Sequence, residues 1–250
     1  MRVRIGTILR PALVLLLLAL VLRPDWFAPV FRPLAPEGAP AIYARSSLLS
    51  LSLSHLGLVA AATAAATLVA VTLAILVTRP AGEAFRPLSR TVTNMGQTFP
   101  PVAVLALAVP ALGFGAGPTL VALFLYGLLP IFENATIALS TLPPATMEAA
   151  RGMGLNRWQR LVQVELPLAF PVILTGIRLS VVIALGTATI GSTVAARTLG
   201  EVIIAGLLTS NTAYVLQGGI IVGLFAVLIC DALVQLEARL AGHTGGRRTA

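Results

Sequence analysis

The sequence contains no lysine: all 17 basic residues among its 250 positions are arginines. That excludes a phosphate-binding loop of the GxxxxGK[ST] type, which needs the lysine ammonium at the terminal phosphates, so the chain cannot hydrolyse a nucleotide by that route. A single cysteine, Cys230, rules out an internal disulfide, and the two histidines, His55 and His243, are too far apart in sequence for a metal motif. Charged residues of both signs make up only 10% of the chain, against about a quarter in a soluble domain. No nucleophile stands near a base and an orienting partner, so no catalytic residue and no metal ligand is assigned.

What is abundant is apolar surface, 57% of all residues. Hydrocarbon satisfies no backbone polar group, so spanning segments must be helices or a closed barrel, and the long apolar runs lack the alternation of barrel strands. The expectation is therefore an all-α integral membrane protein of about six transmembrane helices. About 20 residues cross a bilayer core of about 30 Å. On that measure five long spans run from about Leu49 to Val77, Thr91 to Leu112, Thr119 to Leu139, Leu168 to Ile190 and Tyr214 to Leu236. A shorter one, about Ile8 to Leu22, comes first. Its preceding arginines also fit a secretory signal peptide, but no A-x-A cleavage site follows, and Arg23-Pro24-Asp25-Trp26 reads as an interfacial stop.

Orientation follows from the arginines between spans. Twelve of them fall on the side of the two termini and four, Arg23, Arg32, Arg45 and Arg197, on the other. Positive-inside topology then places both termini in the cytoplasm of a multi-pass protein of the cytoplasmic (inner) membrane. The organisation expected is residues 1–47 as a first helix and external loop, 48–240 as the transmembrane core with a cytoplasmic loop over 140–167, and 241–250 as a basic tail. The arginines are scattered between apolar runs without forming one basic face, so membrane topology explains them and nucleic acid is not an expected partner.

The loop between the fourth and fifth spans carries Glu148-Ala149-Ala150-Arg151-Gly152-Met153-Gly154 and, nine residues later, Val164-Glu165-Leu166-Pro167. Physically this reads as a short helix, a glycine break at Gly154 and a second helix with Arg157, Trp158 and Arg160. The spacing E-A-A-x3-G-x9-hydrophobic-x-L-P resembles the coupling-loop motif of binding-protein-dependent importer permeases, with Val164 where isoleucine is common. The resemblance implies that Glu148, Ala149, Ala150 and Gly154 dock on a cytoplasmic ATPase subunit, and that Leu166 and Pro167 open the next span. Proline is tolerated in a first helical turn, so Pro167 and Pro171 are both expected near that start.

Within the family the chain looks similar to permeases for glycine betaine, choline and related osmoprotectants. The stretches that carry this are Gly96-Gln97-Thr98-Phe99-Pro100-Pro101, Leu128-Leu129-Pro130-Ile131 and Gly176-Ile177-Arg178, together with the loop. It departs from relatives at Glu133, where an arginine often precedes the asparagine now numbered Asn134, and at Ala196-Arg197-Thr198-Leu199-Gly200, which is poorer in glycine. The resemblance implies alternating access driven by separate ATPase subunits. It also implies an extracytoplasmic binding protein, a second permease subunit of the same or a sister chain, and surrounding lipid. No cofactor is expected on this chain, with ATP and Mg held by the ATPase. Aromatics are only 6% of the residues, so an aromatic cage for a quaternary ammonium belongs on the binding protein. A permease for another small solute such as an amino acid shares the same loop, and an ion-coupled carrier would leave the loop unexplained.

Ionisable groups in spans are expensive and tend to face the interior. Arg178 lies near the middle of its span and needs a partner; Glu133 is the expected one, with Asp231 competing. Pro100 and Pro101 remove two backbone donors, and with Gln97 and Asn94 about one and two turns earlier they are the candidate pathway lining, joined by Glu133, Asn134 and Arg178. Small residues every fourth place, Gly57-Ala61-Ala65 and Gly219-Gly223, read as helix packing stripes. His55 reads as an interfacial residue.

Overall fold

The computed structural model describes residues 2–244, with side chains over 9–239. The side chains of Arg2, Arg4 and His243, and residues 245–250 with Arg247 and Arg248, lie outside the described residues. Eleven α-helices follow in order among the described residues: α1 (Arg2–Leu22), α2 (Ala28–Phe31), α3 (Leu48–Val77), α4 (Arg86–Thr98), α5 (Pro101–Leu112), α6 (Ala116–Ser140), α7 (Pro144–Gly152), α8 (Arg157–Arg160), α9 (Leu166–Ala188), α10 (Gly200–Leu208) and α11 (Thr212–Thr244). Four helical runs are long and apolar enough to cross a membrane by length and composition, or up to six if each bent pair counts as one span. The expected third span, Thr91 to Leu112, is not one helix. Each residue before a proline is pushed out of the α region, and the pair Pro100-Pro101 does this twice: Phe99 (ψ 139°) and Pro100 (ψ 139°) are extended, ending α4 and starting α5. The expected first span is a single helix that bends by 106° into the short helices of Pro24–Leu34. The last helix continues into the expected basic tail as far as Thr244.

The described chain divides into two compact units, and each of the four long helices contributes residues to both. One unit comprises residues 1–62, 100–123 and 182–230. Its core joins Leu17, Leu20 and Val21 of α1 to Phe31, Tyr43, Leu51, Val202, Tyr214 and Ile221. The segment 35–47 is irregular, so its backbone groups need side-chain partners. Asn211 donates to the Pro40 carbonyl at 2.9 Å, and Gln217 both accepts from the Tyr43 N–H at 3.0 Å and donates to the Ala41 carbonyl at 3.3 Å. Tyr43 stands edge-on to Tyr214 at 5.4 Å and donates to Glu201 at 2.6 Å, where Ser46 also donates at 2.7 Å.

The other unit comprises residues 63–99, 124–181 and 231–250. Its core is built on Ala66, Ala70 and Ala74 of α3, each fully buried, against Ile131, Phe132 and Ala135 of α6 and Ala169 and Ile173 of α9. Alanine every fourth place lets backbones approach closely. The stripe expected from Gly57, Ala61 and Ala65 is instead exposed, as are Gly219 and Gly223. Both faces of α3 are rich in small residues, so composition alone did not tell the buried one. His55 is likewise corrected: it is fully buried, not interfacial.

Burial, then the hydrogen bond to Glu201, pushes the Tyr43 phenol up from 10.0 to about 12. A proton held more tightly in the folded than in the unfolded state gives a contribution that is complete below pH 10.0 and is lost as pH rises through about 12. In an alkaline titration of tyrosinate absorbance, Tyr43→Phe is expected to remove one late-titrating phenol, and Glu201→Gln to shift it down. Ionisation of Tyr43 at its ordinary value would refute this packing of the 35–47 segment.

Candidate functional site

The segment between α6 and α9 is shaped by local sequence. Pro144 opens α7 at a position where its missing N–H costs nothing. Gly154 adopts φ +77°, the left-handed region in which a Cβ is strained. The Leu155 N–H bonds the Ala150 carbonyl at 3.2 Å and the Gly154 N–H bonds that of Arg151 at 2.9 Å, the pair of bonds of a Schellman helix end. Two residues on, Asn156 caps α8 through a reciprocal box with Gln159, both bonds 2.9 Å. The expected helix, glycine break and second helix are thus present.

The residues expected on its docking face separate. Glu148, Ala149, Gly154 and Pro167 are exposed. Ala150 is 1% exposed, so its methyl is buried in the fold instead of being offered to a partner. Leu166 packs on the core of its own unit. Leu166 and Pro167 are the first two residues of α9, as expected, but α9 is not a fresh start, because α8 runs through a π-helical turn, Leu161–Glu165, straight into it. A wider turn of this kind accommodates a proline's missing donor within a continuous helical run. The outward apolar side chains are Met153 and Trp158, 71% and 70% exposed, which sequence reasoning did not assign to docking. Their signal was large apolar residues inside an otherwise polar, basic loop.

An ion pair also escaped the sequence. Glu165, inside the Val164-Glu165-Leu166-Pro167 stretch, has a side chain 4% exposed and accepts from Arg79, just past the end of α3, at 2.5 Å. A buried carboxylate must be paired. This one ties the base of the α7–α8 segment to the end of α3.

Among the pathway candidates, Gln97 and the double proline form one device. Pro130 has no N–H to give the Tyr126 carbonyl, and the Gln97 amide supplies that bond at 3.0 Å. The break at Pro100-Pro101 frees the Phe99 carbonyl, and the Tyr126 hydroxyl donates to it. Gly96 allows the approach: a Cβ there would come within 2.4 Å of the Leu125 carbonyl oxygen. Asn94 and Glu133 line a groove of about 440 Å³ with Arg90, Thr91 and Leu129. Asn134 donates to its own helix at the Pro130 carbonyl, 2.8 Å away. The expected pair of Arg178 with Glu133 is corrected: Arg90 donates to Glu133 at 2.7 Å, while Arg178 lies 3.5 Å from Glu237 of α11, whose other oxygen accepts from Thr175 at 2.8 Å. The competitor Asp231 accepts from Gln235 at 2.7 Å. Which helix faces Arg178 is a matter of packing that span order does not reveal.

Among the described residues, apolar helices long enough to cross a membrane, with an exposed helix, glycine break and helix between two of them, define a multi-pass membrane protein. Residues 70–241 match the model of the binding-protein-dependent transport system inner membrane component, and the chain belongs to that family. It is 41% identical over 197 residues to the osmoprotectant import permease protein OsmY of Salmonella typhimurium, covering 79% of this chain and 84% of that one. OsmW of the same organism, also an osmoprotectant import permease protein, is 36% identical, covering 77% and 91%. The glycine betaine/carnitine/choline transport system permease protein OpuCB of Bacillus subtilis is 34% identical, covering 70% and 83%. Among solved structures, an inward-facing MetNI methionine ABC transporter aligns with a TM-score of 0.68 at 20% identity, over 77% of this chain and 95% of that one, which establishes the importer permease fold.

Because Arg79 is 36% exposed and can turn to water, removing Glu165 is expected to cost about 1–3 kcal/mol, less than for a fully buried pair. In a double-mutant cycle read by chemical denaturation in detergent, Arg79→Ala and Glu165→Ala are expected to be non-additive by about 1 kcal/mol or more. Strict additivity would show that the two side chains do not interact.

Proposed function

We propose that the chain is the membrane-spanning subunit of an ATP-driven importer for small quaternary-ammonium osmoprotectants, of the kind named for its relatives: glycine betaine, choline or carnitine. The observation that carries the reading is the exposed α7–α8 segment, held by a left-handed glycine and a capping box. Glu148 and Ala149 face outward on it. In this reading the segment docks on a cytoplasmic ATPase subunit, with Met153 and Trp158 adding apolar contact, and both termini are cytoplasmic. Hydrolysis takes place on that partner with its own ATP and Mg, and this chain binds no cofactor.

Closure of two ATPase subunits would pull on the segment. Through Arg79 and Glu165 the pull reaches α3, and through the continuous run into α9 it reaches a membrane span. Two permease subunits, identical or sister chains, would enclose the pathway, and an extracytoplasmic binding protein would deliver the solute. The groove of Asn94, Glu133 and Arg90 is the stretch of this chain offered to the pathway. Gln97, Pro100 and Pro101 fix the break beside it, while Asn134 follows Glu133 on α6 and Arg178 lies on α9. A carboxylate beside a guanidinium suits a zwitterion that carries both charges. The permease needs only weak contacts, with selectivity residing in the binding protein.

In liposomes holding the chain with its ATPase and binding protein, ATP-dependent uptake of radiolabelled glycine betaine or choline is expected, without uptake of an unrelated amino acid. Glu148→Arg should reduce uptake by about tenfold or more while the permease remains folded, since it reverses the charge on the docking face. Uptake of the amino acid alone would discard the substrate, and uptake without ATP would discard the importer.

A further inference from the structure

Beside the α7–α8 segment lies a groove of about 1300 Å³ whose character the transport reading does not use. Four guanidinium groups line it, from Arg79, Arg151, Arg157 and Arg160, against one carboxylate, Glu165. Arg79 already occupies that carboxylate. Among the described residues Arg151, Arg157 and Arg160 make no ion pair. Arg160 reaches only the Leu155 carbonyl, at 3.4 Å, and its Nε is buried with no acceptor. Arg151 and Arg157 are exposed and Arg160 is half-buried with that orphaned Nε, so an anion entering the cavity would meet several charge-assisted donors whose charge no carboxylate answers.

We propose that this groove binds the phosphate of an anionic phospholipid headgroup. The guanidinium fork matches phosphate oxygens in pairs, and it gives up its hydration more easily than an ammonium does. The position favours a lipid over a soluble anion. Thr78 follows the end of α3, Leu139 and Ser140 end α6, and Leu161 opens the run into α9, so three apolar helices terminate at the groove and place it at headgroup depth. Its floor is apolar at Leu139, Leu142 and Met147, which suits the glycerol and first acyl carbons. Trp158 stands at the rim, 70% exposed, where an amphipathic ring sits at a membrane interface. Glu148, Ala149 and Met153 are not in this lining, so of the side chains assigned to ATPase docking only Trp158, at the rim, is shared with the groove.

The test uses the full chain, delipidated in detergent and titrated with single lipids under native mass spectrometry. Phosphatidylglycerol is expected to be retained about tenfold more strongly than phosphatidylcholine, whose choline cancels the phosphate charge. Arg157→Gln with Arg160→Gln should abolish the preference, while Arg157→Lys with Arg160→Lys should keep part of it, and Arg45→Gln, at a residue outside this lining, should change nothing. Equal retention of the two lipids by the unaltered chain would overturn the proposal whatever the variants do. Displacement by glycerol 3-phosphate at matched concentration would make the site one for free phosphate instead. If the glutamine variants kept the lipid preference and lost only copurification of the ATPase, the groove would be a protein contact. None of these outcomes depends on which solute is transported.

Discussion

A backbone carbonyl inside hydrocarbon has no water to turn to, and the architecture depends on how this chain meets that constraint at its prolines. Pro130 deprives the Tyr126 carbonyl of its donor, and the helix break at Pro100-Pro101 leaves the Phe99 carbonyl without one, since the Ala103 N–H turns to Pro100 instead. Each deficit is met by the other helix: Gln97 bonds the Tyr126 carbonyl and the Tyr126 hydroxyl bonds the Phe99 carbonyl. Two breaks that would each be costly alone become a reciprocal lock. It works only because Gly96 lets α4 lie directly on the backbone of α6. The groove of Arg90, Asn94 and Glu133 inherits its position from that lock.

The α7–α8 segment solves a different problem, that of holding an exposed element rigid between two spans. Local rules do most of it. A Schellman end at Gly154 and the Asn156–Gln159 box leave little freedom between the two helices. Burial of Ala150 and the Arg79–Glu165 pair anchor the segment to its own unit. A stiff element transmits displacement where a flexible loop would absorb it, so a helix-break-helix suits an element through which one subunit moves another.

Much of this could be read before any coordinates. Helical class, the spans, the loop and its break follow from hydropathy, from the backbone freedom of glycine and from the short range of capping interactions. The family resemblance rested on a contiguous pattern. The third span, broken at Pro100-Pro101, was misread through its backbone; four other misreadings share one cause. The pair assigned to Arg178, the packing stripe on α3, the place of His55 and the docking role of Ala150 all required knowing which face of a helix meets which neighbour. A 100° rotation per residue means that a shift of one position, from Ala65 to Ala66, turns an exposed methyl into a buried one.

By itself the sequence determined that this protein crosses a membrane on helices, where those helices break, and that a capped helix pair interrupts them, because each depends on residues close together along the chain. Only the tertiary structure decided that Arg90 holds Glu133, that Arg178 lies beside Glu237, that Glu165 is buried under Arg79, and that three arginines without an ion pair among the described residues gather around one groove. These are contacts between segments tens of residues apart, or side chains collected by a turn of the backbone. In apolar helices that all resemble one another, hydrophobic burial sets no unique pairing, and the polar side chains choose their partners only after packing has brought them within reach.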